Sequence, residues 1–210
     1  MVCCLNQPLT GTPKRDRLDY SSILDQHAIN YKMSPEHITR TDKFGKSFDI
    51  GIGRDEDFQS LSEMYRTFSP KPASQGLPPP DPEASQNWLK TLFKIGMNGL
   101  AWRDDRIIGH AATIPNVKGK LGELVTFVDQ DHRNRGIGTE LTRFTLEQFG
   151  QQGFEVVWLT VRVSDFIPIK LYKKVGFEFC DTDNYERVMA IKLGPTGGLA
   201  SSDRRIPEEE

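Results

Sequence analysis

The 210-residue chain lacks any run of about 18 consecutive apolar residues, so the sequence offers no membrane-spanning helix. Its start, MVCCLNQPLTGTPKRDR, lacks the apolar stretch of a secretory signal. Neither sign of charge prevails: 27 basic and 29 acidic side chains leave a formal net charge of −2. There is thus no basic field for nucleic acid or an anionic membrane, and no acidic excess of the kind that keeps a chain disordered. Cysteine is scarce. Cys3, Cys4 and Cys180 cannot build a disulfide framework. No second Cys/His pair stands at zinc spacing from Cys3 and Cys4, and His27, His37, His110 and His132 are scattered. The expectation is a soluble, cytoplasmic, metal-free protein in a reducing compartment, monomeric or homodimeric, with no nucleic acid or membrane partner.

Three regions differ in pattern. Residues 1–46 are polar and hold neither helical nor strand periodicity, which reads as an extension. Residues 194–210 have almost no apolar content and read as a tail expected to be disordered. Between them, residues 47–193 carry regular signals. Phe48, Ile50 and Ile52 alternate as a strand does. Phe58, Leu61, Met64, Tyr65 and Phe68 follow at helical spacing. Six of the chain's 13 prolines then fall within residues 69–82. Such a segment can be neither helix nor central strand. It reads as a lid or substrate wall, with a polyproline spacer as the alternative.

A second helix runs from Pro82 to about Gly96. Strands follow over 99–102 and 107–114, turned at Asp104 and Asp105, and another covers 123–129. A helix begins within RGIGTEL and ends at 150–153. A strand over 154–161, a helix over 166–175 and strands over 177–180 and 185–193 complete the order β-α-α-β-β-β-α-β-α-β-β. The class is α/β with a mixed sheet.

The strongest chemical signal joins the 123–129 strand to the next helix: Val128-Asp129-Gln130-Asp131-His132-Arg133-Asn134-Arg135-Gly136-Ile137-Gly138-Thr139. Two glycines let backbone approach a ligand, and a helix start offers unpaired N–H groups to a phosphate. Arg133 and Arg135 add positive charge. No Gly-Lys-Ser/Thr follows, so this is not a Walker A loop, and the third glycine of a dinucleotide fingerprint is absent. Taken alone, the pair is balanced between an anion site and an ordinary turn.

A second block, L-T-V-R-V-S-D-F-I-P-I-K-L-Y-K-K-V-G-F over residues 159–177, tips that balance. Together the two blocks resemble the Gcn5-related N-acetyltransferase (GNAT) superfamily. Arg133, Gly136 and Gly138 match its acetyl-CoA loop, Gln/Arg-x-x-Gly-x-Gly/Ala. Leu171, Tyr172, Lys174, Gly176 and Phe177 match its later Leu-Tyr-x-Lys-x-Gly-Phe. Departures are Gln130 at the usual proline, Asp165 at the usual asparagine and Pro168 at the usual alanine. The likeness spans residues 47–193 and is sharpest over 123–177.

The resemblance implies an acyl-CoA N-acyltransferase fold with a mixed sheet splayed at the cofactor site and helices on both faces. It implies acetyl transfer from acetyl-CoA to an amine by direct attack in a ternary complex. Main-chain groups of Phe127 and Val128 would hold the pantetheine arm. Amides of Arg133, Asn134, Arg135, Gly136, Ile137, Gly138 and Thr139 would cradle the pyrophosphate. Asp165 would approach the arm, although a carboxylate accepts and does not donate. Lys174 would serve the cofactor phosphates or stand as solvated helix charge.

Tyr172 is the candidate general acid, with packing as the alternative role. Glu123, ten residues before Arg133, is the candidate base, with an ordinary ion-paired carboxylate as the alternative. It shares a strand face with Val125 and Phe127, and apolar company raises a carboxyl pKa. His110 is expected to be half-buried and His132 to pack beside the cofactor. Cys180 is not a nucleophile candidate. The acceptor is open: protein lysine, protein N-terminus, polyamine, aminoglycoside or amino acid. One rival is a non-catalytic GNAT-fold module that senses acyl-CoA or docks a partner. Another is a nucleotide-binding protein using the Gly136–Gly138 turn.

Overall fold

Strand pairing in the computed structural model runs β1-β2-β3-β4-β5-β6-β8-β7 across one eight-stranded sheet. The structure describes residues 37–70, 78–116, 120–180 and 185–194. Most of the expected extension, residues 71–77 of the proline-rich segment, the 181–184 turn and the tail from 195 lie outside the described residues, as do Cys3, Cys4 and His27.

The elements are β1 (Ile38–Thr41), β2 (Ser47–Ile52), α1 (Phe58–Thr67), α2 (Pro82–Ile95), β3 (Met97–Arg103), β4 (Arg106–Asn116), β5 (Leu121–Val128), α3 (Ile137–Gln151), β6 (Val156–Arg162), α4 (Phe166–Val175), β7 (Glu178–Phe179) and β8 (Glu186–Lys192). The expected order is present with one strand added. Regular structure begins at Ile38 rather than Ser47, because β1 pairs antiparallel with β2 from Ile38↔Ile50 to Thr41↔Ser47. This strand forms the sheet's rim, and only Ile38 of its four residues is even partly buried. An exposed edge strand needs no apolar alternation, so its sequence is silent.

The β3–β4 hairpin turns on Asp104 and Asp105, both left-handed at φ +50° and +60°. That is the two-residue turn that matches strand twist, and Asp tolerates it. Asp81 caps α2 by accepting the Ala84 N–H, and Pro82 occupies the first turn, where no N–H is needed. Among the described residues every strand pair is antiparallel except β5–β6, whose strands are joined through α3.

The sheet separates two apolar clusters. Leu61, Met64 and Tyr65 of α1, Phe68 just past its end and Leu89 of α2 pack with Leu100, Ile107 and Phe127 on one face. Ile137, Leu141, Phe144 and Phe149 of α3 and Tyr172 and Val175 of α4 pack with Leu124, Val157 and Leu159 on the other. Leu146 lies off the α3 stripe by periodicity, yet it is completely buried. The helix touches β2, β3, β4, β5 and α4, so more than one of its sides is covered. Gly99, Gly109 and Gly122 permit this approach: a side chain at Gly99 or Gly122 would collide with Thr145 or Phe149, and one at Gly109 would press on Leu141.

Candidate active site

The last rung between β5 and β6 is Glu123↔Trp158. Beyond it β5 continues five residues to Val128 and β6 continues to Arg162, without pairing to each other. A cleft of about 890 Å³ lies along this divergence, lined by β5 from Glu123 to Val128, the glycine loop, Thr160 to Arg162 and the cleft side of α4. The expected splay is therefore present.

Strand alternation decides which backbone groups face the opening. The Asp129 N–H donates to Ile108 O on β4 at 3.0 Å, and Phe127 stands in register with His110. Groups two residues apart point the same way, so Phe127 directs its N–H and C=O to β4. Thr126 and Val128 direct theirs to the cleft. Of the two residues expected to hold the arm, Val128 thus directs its main-chain groups to the cleft and Phe127 directs its own to β4, while Thr126 is the other residue whose backbone faces the opening. The Phe127 ring packs against Tyr65, Phe68 and Trp88 on the α1–α2 face.

After β5, Asp129 accepts from the Asp131 N–H and from His132 Nδ1, at 3.1 and 2.9 Å, which folds residues 130–132 into one tight turn. His132 lines the cleft. Asn134 and Gly136 are left-handed, at φ +62° and +91°. Alternating handedness of this kind gathers successive N–H groups into a concave anion cradle. Gly136 is also the N-cap of α3 and supplies no capping side chain. The Ile137 and Gly138 amides, which precede the first helical bond from the Thr139 N–H to Gly136 O at 3.0 Å, therefore remain available, which fits a pyrophosphate. A Cβ at Gly138 would stand 2.8 Å from Leu171 Cδ1 and 3.2 Å from Val128 Cγ2, so glycine lets this helix start sit between β5 and α4.

The two loop arginines do not both face the cleft. Arg133 lines it, but its Nε donates to Val128 O at 3.0 Å and its guanidinium lies 4.9 Å from the Phe68 ring centre. It braces the end of β5 against α1. Arg135 turns away: its guanidinium nitrogen is 3.8 Å from Asp42 Oδ2 and its charge lies over Phe44. Ile137 is fully buried in the α3 face of the core. Neither side chain lines the cleft, so any part they play there is through their amides. Asn134, Gly138, Thr139, Asp165 and Lys174 all line it.

Glu123 and Tyr172 line the same cleft. Burial raises the Glu123 carboxyl from its usual value to about 7. Burial likewise raises the Tyr172 phenol to about 12, against the lowering effect of a hydrogen bond with Thr126. Thr126 Oγ1 lies 3.2 Å from Thr142 Oγ1, which ties the phenol to β5 and α3.

His110 differs from its expected half-buried setting. It is fully buried, and both ring nitrogens are engaged. Asn98 Nδ2 donates to Gly96 O at 2.8 Å, which leaves Asn98 Oδ1 to accept the His110 Nε2 proton at 3.0 Å. His110 Nδ1 then accepts from the Tyr65 hydroxyl at 2.9 Å. Desolvation depresses the imidazole pKa to about 3. This histidine stays neutral inside the core and does not line the cleft. Cys180 does not line it either.

Lys43, Phe68 and Pro70 also line the cleft and were not identified from sequence. Phe68 and Pro70 stand at the rim of the proline-rich segment, where a substrate wall was expected. Lys43 comes from the β1–β2 turn, about ninety positions upstream of the loop it faces, and nothing local to it signals that contact.

Comparison with known proteins agrees with this geometry. The chain is 28% identical over 87 residues to the [ribosomal protein bS18]-alanine N-acetyltransferase of Escherichia coli K12, a match covering 40% of this chain and 53% of that enzyme. The chain thus spans about half the length of the curated relatives it matches. The GNAT domain of S. lividans PAT superimposes with a TM-score of 0.65 at 13% identity, covering 75% of this chain and 97% of that one. A Salmonella typhimurium protein solved with its cofactor acetyl-CoA gives a TM-score of 0.57 at 14% identity, covering 75% and 98%. These likenesses share one fold, and the model of the acetyltransferase (GNAT) family matches residues 58–177, more than half of the chain. With the splayed strands, the left-handed glycine loop and the Tyr172 block all falling inside that match, the chain belongs to the GNAT acetyltransferase family.

Proposed function

We propose that this protein is an N-acetyltransferase that takes its acetyl group from acetyl-CoA and gives it to a primary amine by direct attack. The observation that carries this is the cleft itself. Unpaired strand edges, a left-handed anion loop, a carboxyl raised to about 7 and a buried phenol all border one cavity.

The residues divide the work. The Thr126 N–H and C=O and the Val128 N–H face the cleft and receive the pantetheine arm as an added strand, Val128 O being held by Arg133 Nε. Amides from Gly136 to Gly138 receive the pyrophosphate, with Lys174 nearby. Asp165, at the α4 N-terminus, accepts a hydrogen bond from the arm. Bound acetyl-CoA supplies the activated thioester. Glu123 removes a proton from the incoming ammonium, and a carboxyl that titrates near 7 suits that task at neutral pH. Tyr172 Oη supplies a proton at the sulfur that departs. A phenol raised to about 12 is fully protonated at neutral pH and so ready to give.

The acceptor is a primary amine, and the relative that acetylates an alanine of a ribosomal protein supports starting with peptides bearing an N-terminal alanine. The test is amine-dependent CoA release with such peptides, internal-lysine peptides, polyamines, aminoglycosides and free amino acids. Release with one class and not the others supports the proposal and names the acceptor. CoA binding without release by any class supports the sensor function instead.

A further inference from the structure

The β1–β2 turn, residues 42–46, is built around a buried charge. The Asp42 carboxylate is completely buried and accepts the N–H groups of Phe44 and Lys46, at 2.9 and 3.0 Å. Arg103 of β3 adds a 2.8 Å ion pair, and its Nε also donates to Ser47 O at 3.0 Å. Burial alone would raise this carboxyl. The two N–H donors and the Arg103 guanidinium outweigh that and hold it at about 2. The turn is therefore fixed by a charged group that stays ionised.

This fixed turn is fastened to the glycine loop. The Lys43 N–H donates to Arg135 O at 3.0 Å. Arg135 reaches back to Asp42 at 3.8 Å and covers the Phe44 ring at 5.2 Å. The Lys43 stem lies across Gly136: a Cβ there would stand 3.7 Å from Lys43 Cγ and 3.8 Å from Cε. Lys43 lines the cleft, and among the described residues it joins no ion pair. Arg133 and Arg135, the charges that sequence assigns to this loop, are directed at Val128 O and at Asp42.

We propose that Lys43 is a cofactor-binding residue whose ammonium pairs with the pyrophosphate of CoA over the Gly136 loop, held there by the buried Asp42–Arg103 pair. Asp42 and Arg103 act as positioning residues. The inference rests on the proposed use of CoA, and it extends the site to a hairpin outside the family's two sequence blocks.

Calorimetric titration tests it with CoA, 3′-dephospho-CoA and pantetheine as probes. Lys43→Gln should weaken CoA and 3′-dephospho-CoA alike by about fivefold, the size expected of one exposed ion pair. It should leave pantetheine binding unchanged, and Lys43→Arg should restore affinity. The loss should shrink at high salt. Asp42→Asn should weaken CoA as well, and combining it with Lys43→Gln should cost little more, because the two changes remove one interaction. Should Asp42→Asn fail to fold, Lys43→Gln with the three probes carries the test alone. Unchanged CoA affinity in Lys43→Gln overturns the proposal. So does a loss confined to the probe bearing the 3′-phosphate, or an equal loss for pantetheine. Wild-type protein that binds none of the probes overturns the use of CoA itself, a separate result.

Discussion

Glu123 of β5 pairs with Trp158 of β6 at the final rung before the two strands part. That register places a carboxyl at the root of the cleft, between the paired and the open parts of the sheet. Its burial there has two measurable consequences.

The first concerns pH. The Glu123 carboxyl titrates at about 7 in the folded chain against a reference of 4.5. A base must be ionised, so kcat/KM should rise with pH through about 7 and level off above it. Glu123→Gln should remove that limb and lower the rate by about 10²-fold or more. A pH–rate profile of both proteins checks this. Between pH 4.5 and 7 the folded state holds a proton that the unfolded state has released. The stability from this group is thus fully present below 4.5 and lost as pH rises through 7. Glu123→Gln should therefore melt higher than wild type at pH 8, by an increment of at most about 3 kcal/mol.

Tyr172→Phe separates chemistry from binding. The phenyl ring keeps its packing against Phe177, whose centre is 5.6 Å away, and loses only the hydroxyl. CoA affinity should hold while kcat falls by about 10²-fold, the usual scale of one proton donor. Equal falls in affinity and turnover would return Tyr172 to a packing role.

Gly138→Ala probes how tightly the helix start is held. The added methyl meets Leu171 Cδ1 at 2.8 Å and Val128 Cγ2 at 3.2 Å, so the Leu171 side chain or the loop must shift. Overpacking of this kind costs about 1–3 kcal/mol. Denaturation and CoA titration should both show a loss, and Gly153→Ala serves as a contrast because its Cβ position is open, although φ +87° strains it.

His110 gives an opposite pH signature. Its imidazole is held neutral down to about pH 3 when folded, against a reference of 6.5. The unfolded chain binds the extra proton first, so stability is fully present above 6.5 and declines as pH falls toward 3. His110→Leu should lose that dependence while stranding Asn98 Oδ1 and the Tyr65 hydroxyl, at a cost of about 2–4 kcal/mol. Urea denaturation of both proteins across pH 4 to 8 checks it, and an unchanged pH slope would contradict the buried neutral assignment.

Local signals made most of the site legible before the fold was known. The α4 span, the Asp104–Asp105 turn and the glycine loop each announce themselves within about a dozen residues, because capping and turn chemistry act over that range. What was not legible depends on distant neighbours. Leu146 is buried because α3 is covered on more than one side, which a single stripe cannot express. The direction of Arg133 depends on Val128 O and on a phenyl ring 65 residues upstream. The choice of Thr126 over Phe127 follows from alternation once the β4 register is known, and sequence alone leaves that register open. β1 carries too little apolar content to be seen, and with it Lys43 stayed hidden.

Amide chemical shifts on adding CoA test the central claim most directly, since they report which backbone groups face the ligand. The Thr126 and Val128 amides and those from Gly136 to Gly138 should shift strongly, whereas the Phe127 amide, bonded to β4, should shift little. Large shifts at Phe127 with none at Thr126, or shifts confined to another part of the sheet, would contradict the assignment of the β5–β6 cleft as the cofactor site.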